Sequence, residues 1–543
     1  MPLIQISELG SIGIIKDIPP YKLPANAWTD GENVRFIDTV VETTRGYKQV
    51  FGTPSVEPYW LLPWNTPTTF FWFYADGETI WRQTGLTHTE VTRLSDDYTG
   101  GSYPHWSGGV LGGVPVMIHN AMHADDPPQS WNGASNFQDL PNWPNETSSP
   151  TPSDPWWRCK VIRVFKQYLV ALYMSENVGS GAVEYPTRLR WSNPADPGTV
   201  PTEWLPTYTN LAGDKTFAET TDALVDCLPL RDVNIVYKEN TTHIMQAVPS
   251  LEVFGFRQAF TEFGLLTDRC VKSFFGNHFV VAKGDILVHN GQSAKSVVDK
   301  QYKKFIFDNI DQDNWYNSFV VPNPLMHEMW VCVPSSGNTR CDLAHIWHWD
   351  DNTWTTIDLP NILHIGVGIV DEDQVSQIID SRTGIIDSYT DFIDRRAFNP
   401  VIQAMLGGSG DGVSDFHLLR MDDTYKFGGN EITATITRTG LALHPATVPG
   451  GYVVNTQSIK YFRRHWPTME VDANVTVTIK YGTQETIDGD VTWVRTATFD
   501  PETENWVDVN MQGKILAIQY TFTGDGRAKL ISHGMDIDVV GQT

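Results

Sequence analysis

The sequence has little cysteine, little positive charge and no long hydrophobic run. Five cysteines stand in 543 residues, at Cys159, Cys227, Cys270, Cys332 and Cys341. None forms a C-x-x-C pair and the odd number leaves one over in any complete pairing, so no disulfide framework is read from them. The longest apolar and aromatic stretches, such as Phe70 to Ala75, fall far short of the roughly 20 residues that cross a bilayer. No stable membrane insertion is expected. The opening MPLIQISELGSIGIIK has neither a basic n-region nor a cleavage-like site, so no signal peptide is expected. A chain made and folded in a reducing cytoplasm follows, and the sequons at Asn145, Asn240 and Asn474 are read as incidental. Lys and Arg number 39 against 64 Asp and Glu, a net charge of −25. Such a surface repels phosphate backbones, which argues against a DNA-gripping protein. The local basic groups, Lys300 with Lys303 and Lys304, and Arg463 with Arg464, are read as solvated faces.

Signatures of chemistry are equally scarce. The stretches SGGVLGG and GGSGDG lack the GK[ST] of a phosphate loop, and no G-x-S-x-G elbow occurs. The best metal-like cluster is His119 and His123 with Asp125 and Asp126, but it lacks the glutamate of a zincin helix. The acidic runs Asp308, Asp311, Asp313 and Asp371-Glu372-Asp373 do not supply both the central glycine and the terminal glutamate of a calcium loop. Asp488 to Trp493 differs from a sialidase aspartate box by a glycine one position early, and it does not recur. No catalytic, cofactor-binding or metal-binding residue is assigned.

Aromatics and turn formers are abundant. The chain is 41% hydrophobic and 12% aromatic, with 20 Trp, 43 Gly and 33 Pro. That mix excludes a disordered tail, a coiled coil and a collagen-like rod. Helical periodicity is rare; short β-branched and aromatic runs recur instead, each closed by Gly, Asp, Asn or Pro. Phe70–Tyr74 and Thr79–Trp81 read as a hairpin around Asp76-Gly77. Phe279–Ala282 with Ile286–His289, and Ile378–Asp380 with Ile385-Ile386, repeat the pattern. Val161 to Tyr173 reads as one strand kinked at Lys166-Gln167, and Glu328 to Leu359 holds further strands. Asp299 to Asn317, free of Gly and Pro, is the one helical candidate. Hairpins at this spacing predict an all-β protein: an irregular β-propeller followed by a C-terminal antiparallel β-sandwich.

Composition breaks divide the chain. Residues 1–55 read as an extended N-terminal segment entering the propeller and 56–406 as the propeller-like region, with a proline-rich loop or linker near 144–155. Residues 407–430 read as a Gly-rich linker. Residues 431–543 alternate with period two, as half-buried strands do, and are assigned to the sandwich.

The N-terminal segment carries a longer pattern. Asp17 and Pro19 precede Leu23-Pro24; then come Trp28, Asp30, Asn33-Val34-Arg35-Phe36, and the turn Arg45-Gly46-Tyr47. This resembles the opening of the tail nozzle, or packaged-DNA stabilisation, proteins of short-tailed phages. Trp191-Ser192-Asn193-Pro194 running to Trp204, and Leu228 to Glu239, are similar to blade segments of that family. Phe499-Asp500-Pro501 and Gly513 to Leu516 are similar to its terminal sandwich. One departure is Asp38-Thr39, where related chains place Asp-Gly.

The resemblance implies a structural virion protein without catalysis, needing no cofactor. Six copies would form a ring at the distal end of the tail, docked on the adaptor ring of the head-to-tail connector. The ring would extend the channel, retain packaged duplex DNA without sequence-specific contacts, and open for ejection. Tail fibres or a tail needle or plug are further implied partners. An acidic conduit would limit sticking of the passing duplex. Two rival expectations stand beside this: a glycan-binding or glycan-cleaving propeller for host attachment, and a tail scaffold that anchors fibres.

Overall fold

The computed structural model describes all residues except 1–2, 67–68, 101–104, 124, 132, 134–135, 145–155, 178–180, 250–251, 300, 371–402, 447–450, 488 and 543. The chain is almost entirely β. Aromatic and β-branched runs give strands, and the Asp, Asn and Gly that interrupt them close the turns. At Asp76, for example, the carboxylate accepts the backbone N–H of Glu78 at 2.9 Å and of Thr79 at 2.6 Å, turning Phe70–Ala75 into Ile80–Thr84.

These hairpins build a β-propeller. Among the described residues, five consecutive antiparallel sheets of four strands span residues 60–90, 106–139, 157–216, 224–260 and 271–296. A sixth begins with Phe319–Asn323, Glu328–Val333 and Cys341–His348 and takes the first part of Thr353–Gly368 as its outer strand. The same long strand then serves a seventh blade. Near Asn361, at φ +51, its pairing shifts, and residues 362–368 become the inner strand beside Ala404–Gly410 and Phe416–Met421. The outer strand of blade seven is Tyr47–Gln49, from the other end of the chain. N-terminal and C-terminal strands thus share one blade and close the ring. The inner strands of all seven blades face one axial cavity.

Aromatic and aliphatic side chains fill the spaces between blades. Phe73, Trp106 and Trp131 pack between blades one and two, and Val161, Trp191 and Phe254 between three and four. Trp72 of blade one donates its indole N–H to Ile369 O at 2.8 Å and so ties the first blade to the last.

The second body is a two-sheet sandwich. One sheet runs Val34–Ile37, Val40–Thr43, Ala528–Gln542, Ser458–Val471, Val507–Gly513, with Leu3–Ile6 also paired to Ala528–Gln542. The other runs Asn430–Leu441, Ile515–Gly524, Val475–Gln484, Thr492–Phe499, with Asp30–Glu32 added on Asn430–Leu441. Ile4, Trp28, Phe36, Ile436, Phe462, Ile479, Tyr520 and Ile537 fill the space between them.

Several sequence expectations are corrected. Most of the N-terminal segment enters the sandwich, and it reaches the propeller only at Tyr47–Gln49: Ile4 and Ile6 alternate inward, and three of its strands pair with C-terminal sandwich strands. The sandwich therefore takes strands from both ends of the chain. The Gly-rich stretch beginning at 407 is no linker; Ala404–Gly410 and Phe416–Met421 are blade strands. Glycine is required there by close approach, since a Cβ on Gly408 would stand 2.4 Å from Pro58 O. Lys426–Phe427 then pairs with both Tyr47 and the Asn430–Leu441 strand, so the pairing runs unbroken from blade seven into the sandwich. Val161 to Tyr173 is two strands, Trp157–Phe165 and Tyr168–Asn177, with Lys166 at φ +54 in a tight turn. Among the described residues of 299–317, only Lys303–Asn309 is α-helical and Trp315–Asn317 is a 3-10 turn. The hairpin read at 378–386 and residues 145–155 of the proline-rich loop lie outside the described residues.

Candidate functional site

The N-terminal pattern residues converge on the joint between propeller and sandwich. Arg35, on the sandwich strand Val34–Ile37, is 2% exposed. Its guanidinium donates to Glu328 of blade six at 2.6 and 3.0 Å and to Asp422, just past blade seven, at 2.8 Å. Glu328 also accepts from the Trp330 indole at 3.0 Å, and Asp422 from Asn323 at 2.8 Å. Asn33, at φ +59, bonds three ways: its amide donates to Asp358 at 3.0 Å and to Thr433 O at 3.1 Å, and its side-chain oxygen accepts the Asp358 N–H at 3.0 Å. One side chain so bridges blade six to the second sandwich sheet.

The remaining pattern residues fix the same segment. Trp28 donates to Leu9 O at 2.6 Å and sets its ring edge-on to Tyr520. Asp17 accepts the Lys304 N–H at 3.0 Å at the start of the short helix, and Pro19 O accepts from Lys22 N at 3.0 Å. Asp30 pairs with Lys16 and lies on the strand registered with Thr437. Gly46 is packed so tightly that a Cβ would meet Lys426 O at 2.0 Å. Tyr47 stacks on Phe427 at 5.4 Å. Arg45 is exposed, with its guanidinium 5.9 Å from the Tyr425 ring.

The two tryptophans belong elsewhere. Trp191 donates to Leu211 O at 2.9 Å in blade three, and Trp204 packs edge-on against Trp143 at 4.5 Å. Beside Asn33, Glu32 faces Asp358. Its carboxyl is pushed up to about 7, first by the hydrogen bond with Asp358, then by burial and by the Asp358 charge.

The other acidic and histidine clusters have structural surroundings. His119 is buried against Trp106 and pushed down to about 4 by burial, whereas His123 is exposed. Asp126 is taken by Arg93 at 2.7 Å. Asp311 accepts the N–H groups of Asp313, Asn314 and Gly337, as a turn-forming carboxylate does. Arg463 pairs with Asp538 and Arg464 with Asp508 at the surface, and Lys303 with Asp285. Among the described residues no three His, Cys, Asp or Glu side chains gather as a metal site would require, and no helix is long and apolar enough to cross a membrane. Asp371 to Asp373, Lys300 and Asp488 lie outside the described residues.

The axial cavity, about 400 Å³, was not legible as a cluster. It holds Arg163, Asp226, Asp268, Arg269, Lys272 and His364, contributed by four different inner strands and the chain just before one of them. Arg163 grips Asp226 at 2.7 and 2.9 Å. Arg269 donates to His105 at 3.0 Å and to Leu363 O and Asn317 O at 3.3 Å. His364 accepts the Leu61 N–H at 3.3 Å, and burial followed by the nearby Arg269 and Lys272 charges keeps it neutral. Residues scattered over some two hundred positions leave no local spacing signal; only the ring geometry assembles them.

No family model matches the chain, and no curated protein matches it. Solved structures similar to it include the AfRom2 CNH domain, at 7% identity and TM-score 0.35, covering 70% of this chain and 99% of that one. Another is the WD40 domain of Toxoplasma gondii coronin, at 7% identity and TM-score 0.36, covering 73% and 89%. A third is the SapL1 lectin in complex with alpha methyl fucoside, at 10% identity and TM-score 0.26, covering 57% and 96%. Likeness at this level assigns no function. The propeller is defined by the sheet order given above.

Proposed function

We propose that this chain is a structural, ring-forming subunit of the tail nozzle of a short-tailed phage, residing at the distal end of the virion tail. The observation that carries this reading is where its N-terminal pattern lies. Asp17, Trp28, Asp30, Asn33, Arg35, Gly46 and Tyr47 bond or pack in and around the joint between propeller and sandwich. A pattern conveying chemistry would line a cleft, whereas this one makes two bodies rigid with respect to each other. Rigidity between bodies suits a part that bears internal pressure from packaged DNA.

An exposed sheet edge supports assembly. Thr492–Phe499 ends its sheet, with Val494 57% and Trp493 38% exposed, and Trp506 at 45% on the facing loop. Unpaired edges of this kind template pairing with another chain. The net charge of −25 suits a conduit that duplex DNA must pass without sticking. The adaptor ring above, and fibres or a needle below, are the partners in this reading.

Negative-stain electron microscopy of the purified chain, alone and mixed with the adaptor complex, tests it. Six-fold rings with a hole about as wide as a DNA duplex are expected. Particles that stay single and never join the adaptor would overturn it.

A further inference from the structure

We propose that the axial cavity of the propeller is a binding site for a small organic acid, carboxylate or phosphate, with Lys272 as the cation that meets its charged end. The inference stands whether or not the chain forms rings. It begins with an inversion of charge: in a chain of net charge −25, this cavity holds three cations, Arg163, Arg269 and Lys272, against two acids, Asp226 and Asp268.

The partners are unevenly shared. Arg163 is matched by Asp226 in a two-pronged pair and also donates to Asp268 O at 3.1 Å. The Asp268 carboxylate sits 3.6 Å from His105. Its acid is held below the ordinary carboxylate range: burial opposes the charged form, but the hydrogen bond with His105, then the Arg269 and Arg163 charges, outweigh it. Arg269 bonds on both terminal nitrogens while its Nε, buried, finds no acceptor. Lys272 is left over. Among the described residues its ammonium makes no hydrogen bond or ion pair, and the charged or titratable groups that face it are Arg163, Arg269, Asp226, the Cys270 thiol and the His364 imidazole. Burial first, and then the Arg163 charge, push it down to about 8.

Lys272 is half-buried and lacks an acceptor beside the buried Arg269 Nε, which lacks one too, and an incoming oxyanion satisfies both. The volume of about 400 Å³ lies within the range of small-molecule sites. The apolar wall formed by Leu62, Pro63, Trp106, Val271 and Val321 fits a compact carbon body behind the acid group. A duplex or a folded polyanion does not fit such a space.

The test is titration calorimetry on the full chain at pH 7, with benzoate and inorganic phosphate as the probes. Saturable one-to-one binding of at least one probe is expected, which also separates the carboxylate class from the phosphate class. K272M should weaken it at least tenfold, as loss of a charged hydrogen bond does, while the melting temperature does not fall, because an unpaired cation beside Arg163 and Arg269 has been removed. Should K272M fold poorly, K272Q serves, and in the wild-type chain affinity should decline as pH rises past 8. No saturable binding of either probe, or binding that neither variant nor pH alters, overturns the proposal.

Discussion

Arg35 and Glu328 meet as two parallel hydrogen bonds, 2.6 and 3.0 Å long, across the line where the sandwich touches blade six. Both side chains are almost wholly buried, and Asp422 closes on the same guanidinium from the end of blade seven. Removing the cation leaves two buried carboxylates uncompensated, a class of change that costs about 3–5 kcal/mol. Arg35→Ala is therefore expected to lower the urea midpoint of unfolding strongly. Because the pair spans two bodies, a single transition in the wild-type chain should divide into separate propeller and sandwich transitions. Tryptophan fluorescence and far-ultraviolet circular dichroism, followed together, check both points. Arg35→Lys keeps the charge but not the two-pronged geometry and should fall in between.

Gly46 governs ring closure. It immediately precedes Tyr47–Gln49, the outer strand of blade seven, and its Cα lies under Lys426 O. Even one methyl would drive that backbone apart, so Gly46→Ala is expected to cost about 1–3 kcal/mol by overpacking. The loosened strand should expose the edge of Phe416–Met421. Faster amide exchange at Leu418 and Arg420, whose backbone groups face Tyr47–Gln49, with blades two to four unchanged, is the signature to seek by hydrogen-exchange mass spectrometry.

The turn joining Val34–Ile37 to Val40–Thr43 has Asp38 at φ +50 and Thr39 at φ +67. A two-residue turn of this type wants glycine at the second position, and a β-branched residue there is strained. Thr39→Gly should raise stability by about 1 kcal/mol, read as an increase in melting temperature. A decrease would mean that the Thr39 side chain makes a contact outweighing the strain.

Much of the propeller was legible because its signal is local. Phe70 to Trp81 and Phe279 to His289 announce hairpins by a run, a turn former and a second run, and both hairpins are present. Long-range pairing was not legible. Leu3–Ile6 pairs with a strand over five hundred residues away, and Tyr47–Gln49 with Phe416–Met421, so nothing near them in sequence marks where they go. The glycines of 407–410 misled for a physical reason: glycine marks loops, yet here it marks a strand pressed against Glu57 and Pro58. The pattern residues Asn33 and Arg35 could be singled out in the sequence, but their partners Asp358, Glu328 and Asp422 could not.

If rings form through the Thr492–Phe499 edge, a charge placed there should block them without harming the fold. Val494 is 57% exposed, so Val494→Asp should change monomer stability by less than about 0.5 kcal/mol. Sedimentation velocity should then show single chains where the wild type shows rings. Rings that persist in this variant would move the interface elsewhere on the surface.

Acid should weaken the protein well before its carboxylates titrate, because two buried tyrosine–histidine clusters require neutral imidazoles. In the propeller, the Tyr237 hydroxyl lies 2.7 Å from His278 and 2.6 Å from His289. In the sandwich, the Tyr520 hydroxyl lies 3.0 Å from His465 and 2.8 Å from His533. Burial pushes His278 and His533 down to about 4, and His289, which also feels His278, to about 3. Between pH 6.5 and these values the unfolded chain binds protons that the folded chain refuses, so stability rises with pH and is lost as pH falls. Each such imidazole accounts for about 1–2 kcal/mol lost between pH 6.5 and 5. Glu32 acts in the opposite sense, since its raised carboxyl favours the folded chain from about pH 7 downward. Its side chain is exposed, however, and solvent screening leaves it well under the summed imidazoles. A net fall in melting temperature from pH 7 to pH 5 is expected. Tyr520→Phe strips His465 and His533 of their shared hydroxyl and should cost about 1–3 kcal/mol at pH 7. Glu32→Gln should steepen the acid loss by removing a group that opposes it, as the raised carboxyls of Asp226 and Glu328 also do, and a shallower profile in that variant would show that the pairing with Asp358 does not hold a proton.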